Sequence, residues 1–139
     1  MKDFIVTWPD LDVQVRADML DKNPELCQAF WDHLPLKTIQ SHALIAGVEM
    51  YSWVPIVTTA PIRVEEPFDQ QPIGTVNFYS FYGILSIKWG PVSEPLPAPP
   101  IAEIRSQEDL EKLKIVGREA WESINYTKRL IKQVIEKGV

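Results

Sequence analysis

Residues 36–53 read LKTIQSHALIAGVEMYSW and predict two antiparallel strands joined by a tight turn. A turn centred between Ala46 and Gly47 places His42 opposite Tyr51, and any even-length loop about that centre keeps this pairing. One face of the hairpin then carries small and apolar side chains that suit a core. The opposite face gathers polar and aromatic side chains together with one leucine, namely Gln40, His42, Leu44, Glu49, Tyr51 and Trp53.

This mixed face is a candidate functional site. In the predicted register Glu49 lies diagonal to His42, where it supplies the orienting carboxylate that acid–base histidines use. A simple hydrogen bond between His42 and Tyr51 is the alternative reading of the same pair. Gln40 faces Trp53 across the hairpin. Tyr51 and Trp53 either form the wall of a ligand site or are ordinary aromatic residues on a sheet surface.

Composition limits the classes of partner. The 139 residues suffice for one domain with a substantial core. A net charge of −5 without any run of Lys or Arg argues against nucleic acid, so small molecules or proteins are the expected partners. The single cysteine, Cys27, excludes an internal disulfide and is interpreted as a small core residue. The lone cysteine fits a reducing cytoplasm, and because no signal-like or membrane-spanning apolar run occurs, the chain is expected to be soluble.

Short alternating strands broken by proline make up residues 1–105, and one helix interrupts them. The helix is expected over residues 24–33, with Asn23 at its N-cap and Pro24 at its first position. No strand-helix-strand period recurs, so the pattern predicts a mainly β protein with some α, a small closed β-barrel with this helix packed on it. The remaining strands are expected over residues 4–8, 12–20, 62–65, 74–79 and 82–89.

Residues 106–139 predict a separate helical segment, packed on the barrel or on a neighbouring subunit. Ser106 and Asp109 resemble a capping box. The pattern indicates one long helix to about residue 137, or two helices that meet near Gly117. A stripe that long exceeds what a small barrel covers, so a homo-oligomer is expected. The stripe consists of Leu110, Leu113, Val116, Ala120, Ile124, Thr127, Ile131 and Val134.

Motifs of cofactor and metal chemistry are missing from the sequence. It contains no G-x-G-x-x-G, G-x-x-x-x-G-K, H-E-x-x-H or C-x-x-C pattern. The motifs that usually indicate a nucleotide or redox cofactor are therefore absent. A metal site would need both histidines, His33 and His42, together with carboxylates. We therefore expect neither a cofactor nor a metal.

Four segments carry a resemblance to a known family. The helix with its Leu34-Pro35 end, followed by the strand pair, resembles small cyclophilin-like β-barrels. More specifically, the segments taken in order are similar to the cucumopine and mikimopine synthase family. They are SHALIAGVEMYSW (41–53), QPIGTVNFYSFYGILSIKWG (71–90), EPLPAPPIAEI (94–104) and VGREAWESINYTKRLI (116–131).

The resemblance implies an opine-forming Pictet–Spengler condensation of L-histidine with 2-oxoglutarate, which needs no redox cofactor. It implies proton transfers by His42 and Glu49, and capture of substrate carboxylates by Lys88 and Arg63. Two alternatives stay open, a cyclophilin-like module that binds small molecules and a peptidyl-prolyl isomerase. The candidate catalytic residues are His42, Glu49 and Lys88, and the candidate substrate-binding residues are Gln40, Tyr51, Trp53, Arg63 and Glu94.

Overall fold

The computed structural model describes residues 2–138, and its main feature is a closed antiparallel β-barrel. The predicted fold class, mainly β with α, is confirmed. The strands are β1 (Asp3–Trp8), β2 (Val13–Met19), β3 (Leu36–His42), β4 (Gly47–Trp53), β5 (Glu66–Pro67), β6 (Thr75–Tyr79), β7 (Ile84–Val92), β8 (Pro97–Ala98), β9 (Pro100–Glu103) and β10 (Lys132–Lys137), and the helices are α1 (Pro24–Asp32) and α2 (Gln107–Glu122). Eight strands close the barrel in the order β1-β10-β3-β4-β7-β6-β9-β2, while β5 and β8 form a separate pair.

Buried and more exposed residues alternate along the barrel strand β2, as the sequence predicts. Every second residue of β2, from Val13 to Met19, is buried. Helix α1 covers one end of the barrel, where the ring of Phe30 lies 5.2 Å from that of Phe4 and 5.6 Å from that of Phe78, measured between centroids. Burial of these large rings makes the end of the barrel a major part of the hydrophobic core.

Asn23 precedes α1 as predicted, but its side chain does not cap the helix. The buried amide instead fastens a neighbouring loop. Its Oδ1 accepts from the backbone N–H groups of Arg63 (2.7 Å) and Val64 (2.9 Å), and its Nδ2 donates to the carbonyls of Val64 and Pro100, both at 3.0 Å. Four bonds from one buried amide explain why the segment before β5 stays close to the barrel without a strand over residues 62–65.

The register of the central hairpin differs from the prediction by one residue. His42 pairs with Met50 and Ser41 pairs with Tyr51. The predicted pairing of His42 with Tyr51 is therefore wrong, as is that of Gln40 with Trp53, because Gln40 pairs with Ser52. A shift of one residue moves a whole strand's side chains to the other face of the sheet.

Gly47 accounts for the shifted register. Its φ of 138° is reached readily only by glycine, and a Cβ there would lie 2.7 Å from Val92 Cα. The Ser93 N–H also donates to the Ala46 carbonyl at 3.1 Å. The turn is thus held against β7 and centred on Ala46, so it has an odd rather than an even length.

The carboxyl-terminal segment is helical only in its first half. Helix α2 continues into a π-helical turn (Ser123–Thr127), and Lys128 then adopts a left-handed φ of 57° that ends it. Strand β10 inserts between β1 and β3 and closes the barrel, so the prediction of a helical segment across 106–139 is wrong for residues 132–137. Burial there alternates with a period of two, at Ile131, Gln133 and Ile135.

Helix α2 continues without interruption through Gly117, the predicted bend point. It lies against β2, β3, β4 and β7, and its buried residues include Leu113, Val116 and Ala120. Gly117 instead permits a close approach, because a Cβ there would lie 2.1 Å from Cε2 of Trp89. No helix within residues 2–138 is long and apolar enough to cross a membrane.

Gly117→Ala is expected to destabilise the fold by about 1–3 kcal/mol, because the added methyl group overlaps the Trp89 ring. The sign of this change in stability is informative, because a glycine-to-alanine substitution inside a helix ordinarily stabilises a protein by about 1 kcal/mol. Urea denaturation measures the change. In a Trp89→Ala background the same substitution should become neutral or stabilising. An equal cost in both backgrounds would show that the ring contact is not the cause.

Candidate functional site

Glu49 lines a small aromatic cavity on the outer side of the barrel. Its neighbour in β4, Met50, belongs to the core, so alternation turns the Glu49 side chain outward. Glu49 is nevertheless only 8% exposed, because loop residues cover it. The cavity has a volume of about 210 Å³ and is lined by Ala46, Glu49, Tyr51, Phe68, Tyr79, Tyr82, Ile84, Ser86 and Leu96.

Strand pairing gathers this lining onto one face. Tyr51 pairs with Ser86 of β7, and Tyr79 of β6 pairs with Ile84 of β7. Directly opposed residues share a face, and residues two apart along a strand share it too. Three neighbouring strands therefore hold Glu49 and Tyr51 on the same side, which is the part of the predicted site that the structure keeps together.

The Glu49 carboxyl is in an unusual electrostatic position. Within residues 2–138, Glu49 Oε2 and Ser86 Oγ are the buried side-chain oxygens without a hydrogen-bond partner. Burial raises the pKa of Glu49 to about 7, although the nearby Ser86 hydroxyl favours the charged form. The two groups lie close without meeting hydrogen-bond geometry. A carboxyl of this kind is divided between its protonated and ionised forms at neutral pH, as a proton-transfer group requires.

Tyr79 responds to the same carboxyl. Burial raises the pKa of the Tyr79 hydroxyl, and the charge of Glu49 raises it further. Tyr79 is thus a neutral hydrogen-bonding group at physiological pH.

Lys88 pairs with Glu49 across the strands but does not contact a carboxylate. Its ammonium donates to the backbone carbonyls of Phe68 (2.9 Å), Asp69 (3.3 Å) and Gln71 (2.7 Å). An ammonium has three N–H donors, so these bonds leave none for a substrate carboxylate. Burial lowers the pKa of Lys88. The expectation that Lys88 captures a carboxylate does not match this arrangement.

His42 lies on the other face of the sheet, apart from Glu49. It is one of the residues around a second cavity of about 330 Å³, together with Leu44, Ile45, Gly47, Val48, Trp89 and Trp121. Trp89 Nε1–H donates to His42 Nε2 at 3.1 Å, and His42 Nδ1 lies 2.7 Å from the Ala43 carbonyl. These contacts define a neutral imidazole protonated at Nδ1, and burial lowers the pKa of His42. The prediction that His42 and Glu49 share one pocket is wrong, because the odd-length turn separates them.

Gln40 is also removed from the Glu49 cavity by the register shift. It is 3% exposed and faces the barrel interior, where it accepts from Trp8 Nε1–H at 2.9 Å. Its Nε2 donates to the carbonyls of Ser41 (3.1 Å) and Tyr51 (3.0 Å). Because the polar atoms of its side chain are already hydrogen-bonded, Gln40 stabilises the barrel and is not available to bind a ligand.

The other candidate substrate-binding residues lie outside the cavity lining. Trp53 is 59% exposed and packs edge-on against Tyr51, with ring centroids 5.9 Å apart, so it adjoins the site. Arg63 does not line the cavity and binds Glu25, with 2.5 Å between Nη2 and Oε2. Glu94 is half-buried in the loop after β7 and does not line the cavity.

Sequence reasoning missed much of the aromatic wall. Phe68, Tyr79 and Tyr82 enclose Glu49, but none was a candidate. A signal exists, since residues 78–82 read FYSFY around a turn between two predicted strands. No group of three or more His, Cys, Asp or Glu side chains within residues 2–138 is placed to hold a metal ion.

Comparison with solved structures identifies the class of fold. The solved structure "Structure of McbB in complex with tryptophan" superposes with a TM-score of 0.87 at 31% sequence identity. The match covers 96% of this chain and 44% of the McbB chain, so this chain spans less than half of McbB. The two therefore share this barrel architecture.

The family then follows from the sequence. Residues 6–94 match the family described as "Protein of unknown function (DUF3830)", and the chain belongs to that family. No curated protein matches the sequence significantly.

Proposed function

We propose that the protein is an enzyme that condenses an amino acid with a 2-keto acid in a cofactor-independent Pictet–Spengler reaction, with L-histidine and 2-oxoglutarate as the substrate pair. The observation that carries the proposal is Glu49, whose pKa lies at about 7 and whose Oε2 has no partner within an aromatic cavity. Strongly perturbed carboxyls in concave sites are typical of catalytic groups.

The reaction requires proton transfers at several steps. The amine nitrogen adds to the keto carbon, and the carbinolamine loses water to give an imine. After protonation of the imine, the imidazole carbon attacks the former keto carbon and forms a carbon–carbon bond. Loss of the ring proton restores the aromatic ring, so one water is released and no oxidant is needed. Glu49 is the acid when protonated and the base when ionised, which suits a group that titrates near neutral pH.

Two further observations support an amino acid with an aromatic side chain as the amine. McbB, which has the same fold, was solved in complex with tryptophan. The Glu49 cavity is lined by the rings of Tyr51, Phe68, Tyr79 and Tyr82, which suit a planar ring in stacked or edge-on contact. Resemblance to the cucumopine and mikimopine synthases supports histidine and 2-oxoglutarate in particular. In this proposal Tyr51 contacts the imidazole, and the adjoining Trp53 extends the same wall.

The experiment is incubation of the protein with L-histidine and 2-oxoglutarate, followed by mass spectrometry. A ring-closed product, lighter than the two substrates together by one water, is expected. L-Tryptophan replaces histidine in a parallel reaction. A bound but unchanged amino acid would favour a binding module, and catalysed isomerisation of a proline peptide would favour the isomerase. Either result without a condensation product overturns the proposal.

We also propose self-association, but through a different surface from the predicted helix stripe. Half of that stripe is buried, namely Leu113, Val116, Ala120 and Ile131, whereas Leu44, Ile45 and Trp121 are 63%, 85% and 38% exposed around the second cavity. Light scattering at high micromolar concentration should detect a species larger than a monomer, and Ile45→Asp should shift it towards monomer. Val57→Asp is the matched control, because Val57 is 94% exposed elsewhere. A strict monomer for the unaltered chain would contradict this proposal.

A further inference from the structure

One ammonium binds three carbonyls of the loop that covers Glu49. Lys88 is only 3% exposed, and its three donors reach the carbonyls of Phe68, Asp69 and Gln71. These carbonyls belong to a short turn of residues 68–71, which we call the covering loop. A buried ammonium is stable only when its donors are satisfied, and here the backbone of one turn satisfies all of them.

A second attachment orients the same loop. The side-chain amides of Gln71 and Asn77 bond reciprocally, at 2.9 Å and 2.8 Å, and both are buried. The Phe68 N–H donates to the Leu96 carbonyl at 2.9 Å. Phe68 and Leu96 are cavity residues, so the covering loop supplies one wall and attaches to the segment that supplies another.

We propose that Lys88 is a positioning residue that holds the covering loop, and with it Phe68, over the Glu49 carboxyl. Lys88 does not touch the reacting atoms in this assignment, because its donors are taken up by the loop carbonyls. The catalytic consequence rests on the proposed function, whereas the effect on the carboxyl does not. A methionine at this position removes the ammonium that joins the three carbonyls, two of them in buried hydrogen bonds, so the loop should separate from β7 and admit water.

Water beside Glu49 has a definite effect, because burial is the main cause of its high pKa. The titratable groups that line the cavity with Glu49 are Tyr51, Tyr79 and Tyr82. Asp69 lies on the covering loop and acts on the Lys88 ammonium. The Lys88 ammonium belongs to the residue paired with Glu49 on β7, and its loss alone would raise the Glu49 pKa. Opening the loop acts in the other direction and should outweigh this, because burial is the first cause of the raised pKa.

The test is Lys88→Met, with carbon-13 NMR titration of the Glu49 carboxyl. The expected result is a fall of the Glu49 pKa from about 7 towards its ordinary value of 4.5, with a loss of about ten- to hundredfold in kcat/KM. Lys88→Arg should retain part of the raised Glu49 pKa and part of the kcat/KM, since a guanidinium also offers several N–H donors. Lys132→Met is the matched control, because Lys132 is an exposed strand lysine that does not line the cavity.

Phe68→Ala makes the test independent of whether Lys88→Met folds. It removes the wall but keeps the ammonium, so it should lower the Glu49 pKa in the same direction. An unchanged Glu49 pKa in either folded variant would overturn the assignment, and so would a rise in KM alone for Lys88→Met, which would indicate a carboxylate-binding lysine. If no condensation is found with any substrate, the proposed function fails while the titration still decides the role of Lys88.

Discussion

Glu49→Gln is expected to lower kcat for the condensation by about 10²–10⁴-fold with little change in KM. Glutamine has nearly the same shape but neither donates nor accepts a proton at neutral pH. Glu49 is the carboxyl that the structure places in the aromatic cavity, so no neighbouring acid in the lining replaces it. Steady-state kinetics with histidine and 2-oxoglutarate measure the loss.

Glu136→Gln is the matched control for this prediction. Glu136 is an exposed carboxylate on β10, in the same barrel but outside the cavity lining. Its replacement should leave kcat within about twofold, as is usual for a surface site remote from the chemistry. If Glu49→Gln raised KM while kcat stayed the same, the carboxyl would be a binding group rather than an acid–base group.

The fold was largely predictable because its local signals agree with one another. The alternation of β2 and the Asn23-Pro24 start of α1 are short-range features, and the structure contains both. The absence of a strand-helix-strand period excluded a parallel sheet. These observations sufficed for a closed barrel, although not for the order of its strands, since β10 and β1 are separated by almost the whole chain.

The candidate site was predictable only within one strand. Glu49 and Tyr51 are two residues apart in β4, so they share a face in any register. His42 belongs to the other strand, and its face depended on whether the turn had an odd or an even length. The contact between Gly47 and β7 decides that length, and it is a long-range contact that the hairpin sequence does not contain.

The end of the chain shows how two periodicities compete. Residues 127, 131 and 134 continue the helical spacing of α2, whereas Ile131, Gln133 and Ile135 form an equally good strand pattern. The barrel resolves the ambiguity, because β1 and β3 leave a gap that only a strand fills with backbone hydrogen bonds. Phe68 was missed because it lies in a loop, and its place in the cavity lining depends on contacts that are distant in the sequence, such as that of Lys88 with the Phe68 carbonyl.

The second large effect concerns the pH dependence of stability, and it requires no substrate. The folded-state pKa of Glu49, about 7, lies above its ordinary value of 4.5, so the folded protein binds a proton more tightly than the unfolded chain. The stability from this group is fully present below about pH 4.5 and is lost as the pH rises through 7. A shift of this size corresponds to about 3 kcal/mol.

Glu49→Gln should remove this dependence, since glutamine does not ionise. The variant is therefore expected to be more stable than the unaltered protein above pH 7, by up to about 3 kcal/mol, and the difference should shrink as the pH falls to 5. Urea denaturation at pH 5, 6, 7 and 8 measures it, with Glu136→Gln expected to follow the unaltered protein throughout. If the free energies of unfolding of Glu49→Gln and the unaltered protein ran parallel over this range, Glu49 would be ionised with an ordinary pKa. The same substitution is thus expected to abolish most activity and to stabilise the fold, because the desolvation that makes this carboxyl useful at neutral pH also makes its charged form costly to bury.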